Sequence, residues 1–155
     1  MVGLTYTYEC KIDAKGRALL PTKLKNELLP ELPNGFILKR SIFNKCLELW
    51  PKRKWDLELE KLNQLNRYVE RNVRFIRRFL AGVKPVDLDG SGRLLIPKDL
   101  MAFAGIEKNI VMTSVIDKIE VWDKEKYEAD QNMEEDIKEL AQQVMGNIGN
   151  DQTPL

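Results

Sequence analysis

One run of residues occurs twice in this chain, and that constrains its fold more than any other feature. Ile12-Asp13-Ala14-Lys15-Gly16-Arg17-Ala18-Leu19-Leu20-Pro21-Thr22-Lys23-Leu24 returns as Leu88-Asp89-Gly90-Ser91-Gly92-Arg93-Leu94-Leu95-Ile96-Pro97-Lys98-Asp99-Leu100, keeping the Asp, the Gly-Arg pair, two apolar residues, the Pro and the closing Leu in register. A second match follows each copy: Leu47-Glu48-Leu49-Trp50 and then Trp55 reappear as Ile119-Glu120-Val121-Trp122 and then Tyr127. A repeat of this length is one supersecondary unit copied, and two copies too small to close a core singly are expected to close it together. The sequence therefore predicts a pseudo-dimer in one polypeptide. Its parts are a first repeat over 4–51, a helical insert over 52–81, a second repeat over 82–127, and a C-terminal helix with a fraying tail over 128–155.

At 155 residues the chain suits one domain or two half-domains sharing a core. No apolar run approaches the roughly 20 residues of a membrane helix, and the start lacks the charged-then-apolar pattern of a signal peptide, so the expected compartment is the cytoplasm. Cys10 and Cys46 have no framework spacing and read as buried thiols rather than a disulfide or a metal site. The complete absence of histidine removes the commonest general base, nucleophile activator and zinc ligand together. With no arrangement of carboxylates or lysines to replace it, the expectation is a non-enzyme without metal, cofactor or small-molecule substrate. A net charge of +1 hides asymmetry: bases dominate from Lys11 to Lys54 and again from Arg67 to Lys84, acids from Lys124 to Glu139. Such patterning can present a basic face to a polyanion.

Each repeat opens with period-two alternation, the signature of a strand, with Lys11, Asp13, Lys15 and Arg17 on one parity in the first copy and Asp87, Asp89, Ser91 and Arg93 in the second. Gly16 and Gly92 fall where a turn or bulge needs a permissive backbone; Pro21 and Pro97 suit the entry to a short helix. Leu24 and Leu28, and Leu100 with Ala104, give that helix its apolar side. Asn34-Gly35 marks a turn before a strand from Phe36 to Arg40, and Ala104-Gly105-Ile106 does so before Ile110 to Ser114. The unit thus reads strand, turn, short helix, strand, strand.

From Lys52 to Ala81 the spacing is helical without Gly or Pro: Trp55, Leu59 and Leu62 form one stripe, and Val69, Val73, Ile76 and Leu80 a second. Opposite the second run Arg67, Arg71, Arg74 and Arg78. This face suits solvent, DNA or the acids of a neighbouring subunit, with Arg71, Arg74 and Arg78 the candidates for contact. A further amphipathic segment holds Met133, Ile137, Leu140, Val144 and Ile148 behind Glu134, Glu135 and Asp136, and its simplest reading is a helix docked on its own core. Asp87-Leu88-Asp89-Gly90-Ser91-Gly92 imitates the opening of a calcium loop, but Lys98 stands where the bidentate Glu belongs, and Pro97 spoils the exit helix.

Paired Asp-x-x-Gly-Arg segments leading to apolar-apolar-Pro, each followed by a Trp-ended strand, with an insert ending Arg77-Arg78-Phe79-Leu80-Ala81-Gly82, resemble the MraZ family from about Leu4 to Tyr127. The resemblance implies two fused AbrB/SpoVT-like units, that is, an α+β pseudo-dimeric swapped-hairpin β-barrel with flanking helices. It also implies a bacterial transcriptional regulator that assembles into rings and binds tandem direct repeats in double-stranded promoter DNA upstream of the division and cell-wall gene cluster, commonly repressing it. Asp13, Gly16 and Arg17, then Asp89, Gly92 and Arg93, carry the motif. Physical reading of these residues agrees: the Arg17 and Arg93 guanidinium groups can grip phosphate or read guanine, while Lys11, Lys15 and Lys84 would add phosphate contacts. Asp13 and Asp89 suit an orienting role, since a carboxylate is repelled at a phosphate surface. The competing reading is an antitoxin-like interaction protein that binds DNA and a partner toxin on a similar barrel.

Overall fold

The structure is a computed structural model that describes residues 6–133 and 136–146. These divide into two compact units, one running to Lys124 and one starting at Glu125.

In the first unit both copies of the repeat take the same course. Copy one gives β1 (Thr7–Lys11), β2 (Arg17–Leu19), α1 (Thr22–Leu28), a 3-10 segment (Leu29–Asn34), β3 (Phe36–Arg40) and β4 (Leu47–Pro51), followed by α2 (Lys52–Asn63) and α3 (Glu70–Phe79). Copy two gives β5 (Lys84–Val86), β6 (Arg93–Leu95), α4 (Lys98–Ala104), β7 (Asn109–Ser114) and β8 (Ile119–Asp123). Pro21 and Pro97 sit immediately before α1 and α4, where their fixed φ suits a helix entry and no amide hydrogen is needed. The unit differs from the expected strand, turn, helix by one element, because a three-residue strand stands between the turn and the helix in each copy. Nor does one strand face carry Lys11, Asp13, Lys15 and Arg17: the Gly16 amide donates to the Asp13 carbonyl at 3.0 Å, so 13–16 is a tight turn that breaks the alternation.

Six strands form an antiparallel sheet in the order β1-β7-β8-β4-β3-β5, and β2 pairs with β6 in a separate two-stranded ribbon. The opening strand of each copy lies beside the other copy's hairpin, β1 on β7 and β5 on β3, so the two halves are interleaved about the β4–β8 pair. The expected swapped-hairpin β-barrel is not confirmed by this topology, because the sheet is not closed. β1 and β5 are free edges of the sheet, and only single bridges, Ile12 to Ala18 and Leu88 to Leu94, lead from them to the ribbon. The tight turns after Ile12 and Leu88 leave no residues to extend those bridges into ladders.

Alternation in the Trp-ended strand separates two faces. Leu47 and Leu49, with Ile119 and Val121 opposite, enter the main core together with Leu24, Leu28, Leu94, Leu100 and Ala104, all essentially without solvent contact. On the other face the Trp50 indole donates to Glu48 Oε1 at 3.0 Å, and Trp122 repeats the bond to Glu120 at 3.0 Å. Copy one covers this face with the insert, where Trp50, Trp55 and Phe79 pack together with Ile37. Lys39, fully buried beside Glu48 at 3.6 Å, lies over the Phe79 ring. The insert itself is broken between Asn63 and Glu70: Asn66 Oδ1 accepts the Tyr68 amide at 2.9 Å, a local turn that competes with helix, and Arg67 therefore lies outside α3.

Beyond Lys124 the second unit holds the rest of α5 (Lys124–Gln131) and α6 (Ile137–Met145). The Asp136 carboxylate caps α6 by accepting the Lys138 amide at 3.0 Å. Met133, Ile137 and Val144 of the expected apolar stripe are exposed. Glu134, Glu135, Ile148 and the tail from 147 to 155 lie outside the described residues.

Candidate nucleic-acid interface

The two repeated motifs meet on the β2–β6 ribbon. Its register sets Arg17 against Leu95, Ala18 against Leu94 and Leu19 against Arg93. Period two does the sorting: Ala18 and Leu94 turn into the core with no exposed surface, so Arg17, Leu19, Arg93 and Leu95 share the outer face. The arginines lie on a diagonal of the ribbon, about 7–8 Å apart at Cα. Each strand is tied to the other copy's turn, since the Ile96 amide donates to the Gly16 carbonyl at 2.8 Å and the Leu20 amide to the Gly92 carbonyl at 3.1 Å.

The same turn chemistry orients both arginines. Asp13 Oδ1 accepts the amides of Lys15 and Arg17, each at 2.9 Å, and Oδ2 accepts Arg17 Nε at 2.8 Å. Asp89 repeats this with the Ser91 and Arg93 amides and with Arg93 Nε, all at 2.9 Å. The backbone amide of the arginine, opposed by partial desolvation and helped by the guanidinium, holds each carboxyl below the usual carboxylate range. Anchoring at Nε leaves the terminal Nη pair, which has no hydrogen bond or ion pair among the described residues, with 30% and 34% of the two side chains open to solvent. Gly16 and Gly92 make the turns possible at φ +83° and +78°.

The other sequence-predicted cations are placed unevenly. Lys15 is exposed in the first turn, and Lys11 is exposed at the end of β1, next to Ile12 and its bridge to the ribbon. Lys84 stands apart, on the edge strand β5 with its ammonium 3.5 Å from Asp99. Arg71, Arg74 and Arg78 are exposed on α3, Arg74 pairing with Glu70 at 3.3 Å. Sequence reasoning missed Leu19 and Leu95, each more than half exposed between the arginines. The signal was present, because they share parity with Arg17 and Arg93 once the turn is placed at 13–16. Among the described residues no group of three or more Cys, Asp or Glu is placed to hold a metal ion, and no helix is long and apolar enough to cross a membrane.

A family model described as "MraZ protein, putative antitoxin-like" matches residues 4–76 and 79–146. The transcriptional regulator MraZ of Christiangramia forsetii is 52% identical over 148 residues, covering 95% of this chain and 96% of that protein. The transcriptional regulator MraZ of Flavobacterium psychrophilum is likewise 52% identical, over 94% of each chain, and that of Bacteroides fragilis 34% identical over 83% of this chain and 82% of its own.

Proposed function

We propose, from the premise that this chain belongs to the MraZ family, that it is a DNA-binding transcriptional regulator whose β2–β6 ribbon is the reading element. The observation that carries the reading is the placement of Arg17 and Arg93 on one solvent face of one ribbon, each held by its own aspartate. A two-stranded ribbon fits the major groove, about 12 Å wide, and guanine offers O6 and N7 there to a guanidinium whose Nη edge is free. A Cα diagonal of about 7–8 Å matches roughly two base-pair steps of 3.4 Å. The aspartates restrict rotamers before binding, so less side-chain entropy is lost on contact. Lys11, Lys15 and Lys84 serve phosphates, Lys84 by exchanging Asp99, and these contacts position without specifying sequence.

One ribbon per chain reads a short stretch, so the reading extends to self-assembly. A ring of copies engages tandem direct repeats in the promoter, and linked weak contacts gain affinity through high effective concentration. In this account the regulator works in the cytoplasm at the nucleoid, and its targets are the division and cell-wall cluster that includes its own gene, which it represses. The test is binding of the promoter region upstream of the chain's own gene across a salt series. The expected slope of log affinity against log salt is about −0.9 per phosphate contact, and Arg17→Ala with Arg93→Ala should weaken binding by about tenfold or more. Binding that ignores salt, or that survives the double substitution unchanged, refutes the reading.

A further inference from the structure

The two central hairpins end in loops of opposite character. Between β7 and β8 the tip is short, closed by the Val115 amide on the Lys118 carbonyl at 2.8 Å and the Asp117 amide on the Val115 carbonyl at 2.7 Å. It holds Ile116 at φ +66°, the one non-glycine residue with positive φ among the described residues, with its side chain 65% exposed. A β-branched residue there strains the backbone and exposes apolar surface besides, and no contact among the described residues offsets either. Between β3 and β4 the loop 41–46 instead forms one wall of a cavity of about 520 Å³, opposite Phe75 and Arg78 of α3 and Phe103 of α4. Phe43 on that loop is 86% exposed. Arg40, also in the wall, has an Nε shielded from solvent with no acceptor among the described residues. Arg40 and Lys45 both stand over the Phe103 ring, so the cup is apolar inside and cationic at its rim.

These features lie at opposite ends of the sheet. β4 follows directly from the 41–46 loop and β8 directly from the 115–118 tip, and the two strands are antiparallel neighbours with Leu49 opposite Ile119. One end of each subunit therefore bears an apolar knob followed by a carboxylate, Asp117. The other bears an apolar cup rimmed by Arg40, Lys45 and Arg78.

We infer that the cup is the docking site for the 115–117 tip of a second copy of this chain, Ile116 entering the cavity and Asp117 meeting the cationic rim. The inference rests on the self-assembly proposed above and names its contact. Because the two loops occupy equivalent places in the two repeats, the contact is the head-to-tail form of what two identical halves would make symmetrically. Such heterologous contacts propagate from copy to copy and form a ring where the rotation between copies closes. The strain at Ile116 is then kept for assembly.

Two variants and their mixture test this by light-scattering mass and sedimentation, with far-ultraviolet circular dichroism to check folding. Ile116→Asp destroys the knob and keeps the cup; Phe43→Asp does the reverse. The expected result is an oligomeric wild type, two monomeric variants at the 18.0 kDa chain mass, and a one-to-one mixture that forms a dimer and nothing larger. Ile116→Gly guards against misfolding. Glycine tolerates φ +66°, so this variant should keep the wild-type far-ultraviolet circular dichroism spectrum while assembling roughly thirtyfold more weakly, as loss of an interface hot spot does. Variants that stay fully oligomeric, or monomeric variants whose mixture yields no dimer, overturn the docking contact and leave self-assembly standing. A wild type that is monomeric at every concentration overturns both.

Discussion

Gly16 and Gly92 are equivalent in sequence, in φ and in the turns they close, yet replacing each by alanine should have different costs. Both substitutions place a side chain in the left-handed region, at about 1–2 kcal/mol, offset by about 0.4–1 kcal/mol for a less flexible unfolded chain. At Gly92 the nearest obstacle to a Cβ is the side chain of Lys25, half-buried and flexible enough to withdraw toward solvent. At Gly16 a Cβ would lie 3.1 Å from the Ile96 carbonyl oxygen and 3.3 Å from Met101 Sδ. That carbonyl belongs to the residue whose amide holds the Gly16 carbonyl at 2.8 Å, so it cannot retreat without opening the ribbon. Overpacking of this kind adds about 1–3 kcal/mol. Gly92→Ala should therefore destabilise by about 1 kcal/mol or less, and Gly16→Ala by about 2–4 kcal/mol. Urea unfolding followed by fluorescence of Trp50, Trp55 and Trp122 reads the difference; with a slope of about 1–3 kcal/mol per molar, the midpoints should separate by roughly 1 M. Equal midpoints, or a larger loss at Gly92, would refute the argument that cross-copy backbone contact fixes the ribbon.

Three further outcomes are expected. Glu48→Ala leaves Lys39 buried with its charge uncompensated on that side and the Trp50 indole without its acceptor, and should cost about 3–5 kcal/mol, whereas the paired change Lys39→Met with Glu48→Gln, which removes both charges and keeps an acceptor for the indole, should cost far less, as denaturation of each would read. Burial pushes the Cys10 thiol up to about 11, so the native chain at pH 8 should react with a thiol reagent at Cys10 only as fast as it opens, and a rapid stoichiometric reaction at that position would contradict its burial. The lowered Asp13 and Asp89 carboxyls contribute stability that is present above the unfolded value and lost as pH falls through the folded one. The stability of Asp13→Asn/Asp89→Asn should therefore fall less steeply than that of wild type below about pH 4, a region an acid titration followed by circular dichroism covers.

The repeat made most of the first unit legible. Doubling of Asp-x-x-Gly-Arg and of the Trp-ended strand located paired elements, and Pro21, Pro97 and Asn34-Gly35 punctuated them correctly because each has a backbone reason to stand where it does. Short strands were harder. β2 and β6 have three residues each, too few for periodicity to separate them from the turn, and their pairing joins residues far apart in sequence. The swapped-hairpin barrel was not confirmed for a related reason: whether a bridge grows into a ladder and closes the sheet depends on turn geometry, which residue patterns do not encode. The break in the helical insert was visible in principle at Asn63 and Asn66, but without Gly or Pro it carried no strong signal. Opposed loop characters became apparent only when strand register put the loops at opposite ends of one sheet.

The central claim, that both motif copies present one surface to one stretch of DNA, is tested most directly by tethered cleavage from the ribbon itself. Leu19→Cys and Leu95→Cys place a thiol beside Arg93 and Arg17 respectively on the outer face, at sites more than half exposed, while Cys10 and Cys46 are buried. With an iron chelate attached at either site, cuts on bound promoter DNA should fall in the same groove within a few base pairs of each other. Cuts from the two sites on separate stretches, or no cuts from either while the protein remains bound, would show that the ribbon is not where DNA is held.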